Sequence, residues 1–414
     1  MKILVLNYDD NKGGGVIWTF SDLLKSQGHD VCEIPYISYN NFYSHHFIDK
    51  HKKYSLSTIR FKLENIIFKI KNFVIKDRSS QLFFNASYHK MDAKMILNKC
   101  PFKPDMIWIG WYDFFLTPRI IRDLYNITDA RILIYMIDEF LLGAGCHYPF
   151  NCNQYSTGCV NCPSLKKGFK WIASNFGRNK INDLKDVPLI IAGTTYDLNC
   201  VKRISGLDNR KYIKSVGIPH VPFAIIKSEA RKLFGIDNDD FCVLFGATNF
   251  NDDRKGLKVL LESLDVFLMN VNYKCGITIL MLGNSNFDFS ESKYNGKIKF
   301  IKTGYVSHDV MYKAYYACDI FVSPTLADSG PYMVNYSVAC GRPVVAFPIG
   351  VALDLVIPEK TGYLAKYGDP IDLAKGIDLF YKMDGKMIEQ YNNNCLELIN
   401  RLDLEIPWYM QALQ

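Results

Sequence analysis

A chain of 414 residues exceeds one ordinary core, so two domains of about 200 residues each are expected. Hydrophobic residues make up 49% and charged residues 22%, which excludes a disordered polyelectrolyte, and no apolar run reaches the roughly 18 residues of a membrane span. The formal net charge of +7 is gathered in one segment, with nine Lys or Arg against three acids between Asp49 and Arg78; a nucleic-acid binder spreads its cations over a face and interleaves aromatics, so no nucleic acid is expected as a partner.

The chain opens on MKILVL, a buried strand too short for a signal-peptide core, and a cytoplasmic protein is expected. The strand runs into YDDNKGGGV, where Gly14 and Gly15 would let backbone amides approach a ligand before a helix starts. The spacing is not Gly-x-Gly-x-x-Gly, and a plain strand-to-helix turn stays open. Over 58–76, Ile59, Leu63, Ile66, Ile67, Ile70 and Val74 recur at helical spacing among Lys62, Lys69, Lys71 and Lys76. Two readings follow: a basic amphipathic helix lying on an anionic membrane surface, or a core-packed helix with solvated lysines.

Strands are expected at 106–110, 132–137 and 188–193, alternating with helices as in parallel α/β folds. Asp138 follows the second of them, where a strand-end cap is one reading. Beyond it, Cys146, Cys152, Cys159 and Cys162 form C-x5-C-x6-C-x2-C. That density suits a structural zinc site; an iron–sulfur cluster, a redox pair or free thiols are the alternatives, and His147 could replace a ligand or face a cleft. The other eight cysteines read as small core residues of a reducing compartment.

A proline-rich stretch, GIPHVPF, suggests a crossover between domains over 1–220 and 221–395, with 396–414 returning to the first. Strands are expected at 242–247, 277–282, 298–302, 319–324 and 343–347. Ligands of such sheets bind beyond the strands' C-terminal ends. Arg254 and Lys255 stand at one such end and suit a diphosphate, or are a solvated helix start. Asp252 and Asp253 read as loop solvation. Gly330-Pro331 is expected to open a helix running to about Cys340, capped by Asp328 or Ser329, with first-turn amides able to hold phosphate.

Taken together, DDRKGLKVLLESL (252–264), GYVSHDVMYKAYYACDIFVSPTLADSGPYMVN (304–335), ACGRPVVAFPIG (339–350) and TGYLA (361–365) resemble the retaining glycosyltransferases of family 4. The glycine loop and residues 136–163 resemble a polysaccharide-biosynthesis branch. The resemblance implies the GT-B fold, an α/β architecture of two facing Rossmann-like domains with an interdomain cleft. It also implies a nucleotide-sugar donor (UDP- or GDP-linked), a glycan or lipid-linked acceptor, and work at the inner face of the cell membrane.

By the same resemblance Lys255 and Arg254 hold the donor diphosphate, and Ser329, Gly330, Pro331, Tyr332, Met333 and Val334 cradle phosphate and sugar. Thr248 and Tyr305 join that donor-side set. The family's Glu-x7-Glu pair falls on Asp328, which keeps a carboxylate for sugar hydroxyls, and on Tyr336, which departs from the ribose-binding glutamate. Of the His-Asp pair after the third N-domain strand only Asp138 remains, a candidate contact to acceptor or sugar. The loops 252–256 and 328–334 are expected to grip one pyrophosphate across the interdomain groove, with no metal in the chemistry. The alternatives are an epimerase of the same fold, or a non-catalytic sugar-nucleotide-binding scaffold that Tyr336 would favour.

Overall fold

The computed structural model describes residues 1–10, 15–38, 47–49, 56–76, 91–208, 210–271, 274–284, 294 and 296–414. The chain divides into two compact units: residues 1–193, 197–215 and 408–414 form the first, and 194–196 with 216–407 the second.

In the first unit, β1 (Lys2–Asp9) is apolar on both faces, as a central parallel strand must be, and leads into α1 (Gly15–Ser26). There follow β2 (Asp30–Ser38), β3 (Ile48–Asp49), α2 (Leu56–Ile75), α3 (Ala93–Leu97), β4 (Met106–Ile109), α4 (Pro118–Thr128) and β5 (Arg131–Tyr135). Then come α5 (Lys170–Leu184), β6 (Leu189–Gly193), α6 (Thr195–Val201) and β7 (Lys211–Lys214). The strands form one parallel sheet in the order β3-β2-β1-β4-β5-β6-β7. Helix α4 starts where Thr117 accepts from the Ile120 amide and Pro118 occupies the first turn, a position that needs no N–H donor.

The second unit contains α7 (Lys227–Phe234), β8 (Phe241–Asn249), α8 (Leu257–Asn270), β9 (Ile277–Asn284), β10 (Lys299–Lys302), α9 (His308–Ala317), β11 (Ile320–Ser323) and α10 (Tyr332–Ala339). It continues through β12 (Val344–Ala346), α11 (Ala352–Leu355), β13 (Gly362–Leu364), α12 (Pro370–Lys382) and α13 (Gly385–Asp403). Its parallel sheet runs β10-β9-β8-β11-β12-β13. In both units the order reverses beside the first strand, the switch point at which α/β sheets open a crevice.

The C-terminal helix α14 (Trp408–Leu413) packs on the first unit. Its Trp408 ring lies 4.9 Å from Tyr135 and 4.6 Å from Phe20, and Arg131 donates to the Leu413 carbonyl. Burying one indole among such rings is worth a few kcal/mol, which holds a short helix in place.

Helix α2 bears on its core-packed reading. Leu56, Ile59, Leu63, Ile66, Ile67, Ile70, Phe73 and Val74 are all exposed, Leu56 by 88% and Phe73 by 75%. The core-packed expectation fails for these side chains. The helix is tied at its ends instead: Thr58 donates to the Asp49 carbonyl, and Lys166 donates to the carbonyls of Ile75 and Val74.

Candidate functional site

In the second unit, β8 ends in a loop that folds on its own side chains. Asp252 accepts from the Arg254 amide at 3.1 Å and takes Nε and Nη2 of the same arginine at 3.1 and 2.6 Å. Asp252 is therefore a clamp rather than loop solvation, while Asp253 pairs at the surface with Lys258. The clamp ties the Arg254 guanidinium to its own loop, where a diphosphate was expected to meet it. Next to it Gly256 takes φ +73°, and a Cβ there would fall 1.9 Å from the Pro324 carbonyl oxygen. Only glycine lets this loop press so closely on the segment after β11.

That contact is reinforced where the Leu326 amide donates to the Arg254 carbonyl at 2.7 Å. Lys255 then reaches Asp328, with Nζ 2.5 Å from Oδ2, and the other carboxylate oxygen accepts from the Gly330 amide at 3.0 Å. The loops 252–256 and 328–334 thus meet, but both belong to the second unit, so the expectation that they oppose each other across an interdomain groove is corrected. Helix α10 begins at Tyr332 with Pro331 as an N-cap lacking a side-chain bond, two residues later than expected, because Asp328 turns toward Lys255 and the Gly330 amide.

Around this pair the other candidates divide. A Cβ at Gly330 would meet nothing within 4 Å, and the buried Ser329 hydroxyl has no hydrogen-bond partner among the described residues. Both leave room for a ligand at the start of α10. Thr248, Tyr305 and Tyr332 are exposed at neighbouring loop ends, Tyr305 by 71%. Met333 and Val334 are corrections: Met333 packs its methyl over Gly246, and Val334 is fully buried with its amide given to the Pro331 carbonyl. Tyr336 sits among rings, 5.2 Å from Tyr332 and 5.5 Å from Tyr312, and burial pushes its phenol up to about 12. It is a neutral donor where an anion was looked for.

In the first unit the loops after β4 and β5 build a second charged cluster. Asp138 accepts from the Phe140 amide at 3.0 Å and meets His147 Nδ1 at 2.5 Å. The other ring nitrogen, Nε2, lies 2.9 Å from Asp113, whose second oxygen accepts from the Phe114 amide at 2.8 Å. Burial alone would lower the imidazole, but hydrogen bonds to Asp113 and Asp138 and their charges outweigh it and raise it to about 9. His147 is thus an imidazolium held between two carboxylates. Asp113 and the role of His147 escaped the sequence, since 25 residues separate the two acids and no local spacing marks the array. Behind it the buried Lys180 ammonium donates to the carbonyls of Phe140, Leu141 and Gly143, and burial lowers it to about 8.

The four crowded cysteines lie on the loop beside this cluster. A 3₁₀ turn at Gln154–Thr157 and Gly158 at φ +77° bend it, and Gly177 of α5 packs on the Gly158 carbonyl. Burial, then the charges of Cys159, Cys162 and Cys152, pushes the Cys146 thiol up. Among the described residues, however, no group of three or more His, Cys, Asp or Glu is arranged to hold a metal ion, so the thiols are gathered without closing a site. Gly14 lies outside the described residues, and Gly15 is the first residue of α1.

Residues 241–382, within the second unit, match the family pattern "Glycosyl transferases group 1". An uncharacterized glycosyltransferase of Methanocaldococcus jannaschii is 24% identical over 157 residues, 37% of this chain and 38% of that relative's length. Among solved structures, sucrose-phosphate synthase from Thermosynechococcus elongatus superposes with a TM-score of 0.61 at 16% identity, covering 100% of this chain and 97% of that one. Anabaena HepE, solved with UDP and glucose, gives 0.54 at 15% identity over 97% and 95%. Likeness at such low identity carries the fold, which is that of the GT-B glycosyltransferases.

Proposed function

We propose that this chain is a retaining glycosyltransferase that moves a hexosyl group from a nucleotide-sugar to a glycan or lipid-linked acceptor in surface polysaccharide assembly. The observation that carries it is Lys255 meeting Asp328 at the start of α10, beside an open Gly330 and a partnerless Ser329 hydroxyl. A flexible ammonium can leave a carboxylate for a diphosphate, which releases Asp328 to accept hydrogen bonds from the sugar's hydroxyls. The anomeric carbon then loses its bond to the diphosphate and gains one to the acceptor oxygen on the same face, and the acceptor's proton passes to the departing phosphate. Lys255 and the α10 amides would stabilise the charge that develops there, without a metal ion.

HepE was solved with UDP, so UDP-linked sugars are the first donors to try and GDP-linked sugars the second. The purified chain should slowly hydrolyse one of them to free nucleoside diphosphate, and Asp328→Ala should abolish this while the thermal melt barely moves. Binding without hydrolysis would leave a sugar-nucleotide-binding scaffold; no binding at all ends the reading.

Helix α2 supports a peripheral position on an anionic membrane. Its apolar row is solvent-exposed beside Lys62, Lys69 and Lys71, and such a face gains both by burying apolar surface at the headgroup boundary and by attraction to acidic lipids. No helix among the described residues is long and apolar enough to cross a membrane. Replacing the three lysines by glutamine should lower sedimentation with vesicles containing phosphatidylserine; unchanged sedimentation removes the membrane from the proposal.

Structural zinc at Cys146, Cys152, Cys159 and Cys162 rests on their spacing in the sequence alone. Elemental analysis should find about one zinc per chain; a stable, metal-free protein would end that idea.

A further inference from the structure

In the second unit, burial raises the thiols of Cys242, Cys318, Cys340 and Cys395 and keeps them protonated, as inert core cysteines are. Two cysteines of the first unit are built differently. Cys32 is the third residue of β2, 5% exposed and in register with Leu4 of β1. Cys100 lies far along the chain, half-buried in the turn after α3, where its amide donates to the Leu97 carbonyl at 3.0 Å. The fold brings the two thiols together, and their side chains hydrogen-bond each other.

That contact divides the roles. The hydrogen bond from Cys32, with the Phe102 amide behind it, lowers the Cys100 thiol to about 7 although burial opposes it. Cys32 is raised by the same bond and by burial. One sulfur is therefore a thiolate at neutral pH and open to a reagent, and the other is a protonated thiol already against it. A nucleophilic, accessible sulfur with a second thiol in contact can be captured as a disulfide before it is oxidised further. Both segments are held by backbone hydrogen bonds, β2 in the sheet and Cys100 in its turn, so the fold sets the contact.

We propose that Cys32 and Cys100 are a peroxide-sensitive dithiol that closes reversibly to a disulfide. The Cys100 thiolate attacks one oxygen of a hydroperoxide and the O–O bond breaks. Cys100 becomes a sulfenic acid, and the second oxygen leaves as water or alcohol after taking a proton from solvent. The Cys32 thiol then attacks the Cys100 sulfur, the S–O bond breaks, and the hydroxyl leaves with the Cys32 proton as water. The two thiols lose two electrons and the hydroperoxide gains them. The bond joins β2 to the segment entering β4, at the base of the stretch of chain that carries α2. None of this depends on the transferase reading.

The test is oxidation of the full chain with one equivalent of hydrogen peroxide at neutral pH, then alkylation and peptide mass spectrometry. The expected product is a linked pair of peptides, Cys32 to Cys100, two hydrogens lighter than the reduced pair and restored by dithiothreitol. Before oxidation, iodoacetamide should modify Cys100 about tenfold or more faster than Cys275, another half-buried thiol. Cys32→Ser should leave Cys100 as a sulfenic acid that dimedone captures, and Cys100→Ser should slow oxidation of Cys32 about tenfold or more. Three results would overturn the proposal: other cysteines linking while Cys32 and Cys100 stay reduced, wild-type Cys100 passing to sulfinic acid with no disulfide, or Cys100 alkylating no faster than Cys275. The wild-type linkage is read directly, so a variant that fails to fold leaves the test intact.

Discussion

Each unit ends a strand in an acid and answers it with a cation, yet the two constructions differ. In the second unit, one Lys255 nitrogen meets one Asp328 oxygen at the tip of a flexible stem, and both are partly open to solvent. In the first, the planar His147 ring is pinned on both nitrogens by Asp113 and Asp138, whose carboxylates accept from backbone amides as Asp328 does from Gly330. The first pairing can be exchanged for a ligand's charge at modest cost, while the second resists any exchange. A carboxylate held by lysine suits binding and release; one held by a clamped imidazolium suits fixed geometry.

The sharpest way to break this comparison is kinetic. Asp328→Ala and Lys255→Ala should each lower transfer about a thousandfold, as loss of a charge-stabilising contact does. The double variant should be no worse than either, because groups acting as a unit are not additive; a multiplicative loss in nucleotide-release assays would separate the pair.

Stability comes next. Asp113→Asn should cost about 3 kcal/mol in urea unfolding, since it leaves a buried imidazolium short of a partner, whereas Lys255→Ala should cost about 1 kcal/mol or less. Equal costs would erase the distinction between clamp and exchangeable pair. Smaller again is Gly256→Ala, expected to destabilise by about 2 kcal/mol through its positive φ and the Pro324 carbonyl. Gly330→Ala should leave stability within about 0.5 kcal/mol while weakening nucleotide-sugar binding, because its space is open to the ligand alone. Tyr336→Phe removes one half-buried hydroxyl and should shift unfolding by about 1 kcal/mol or less.

Much of the second unit was legible because its chemistry is local. Strand 319–324 and the helix end near Cys340 lie within one strand–loop–helix segment, where residue preferences and backbone geometry act over a few positions. The helix start was read two residues early, since nothing local says that Asp328 will turn to a lysine 73 positions away. Arg254 and Lys255 looked equivalent as neighbours; loop curvature sent one back to Asp252 and the other across to Asp328. Helix α2 was periodic in the sequence, but periodicity is the same whether the apolar row is covered or bare.

The sequence by itself determined the alternation of buried strands and helices and the cations beyond β8, because these follow from hydrophobic period and charge along one stretch of chain. Only the tertiary structure decided which carboxylate each cation meets, that Asp113 and Asp138 share one imidazole, and that Leu63, Ile66, Ile70 and Phe73 of α2 stand exposed. Those are matters of distance between segments far apart in the chain, and such distances are set by packing rather than by any residue's own preference.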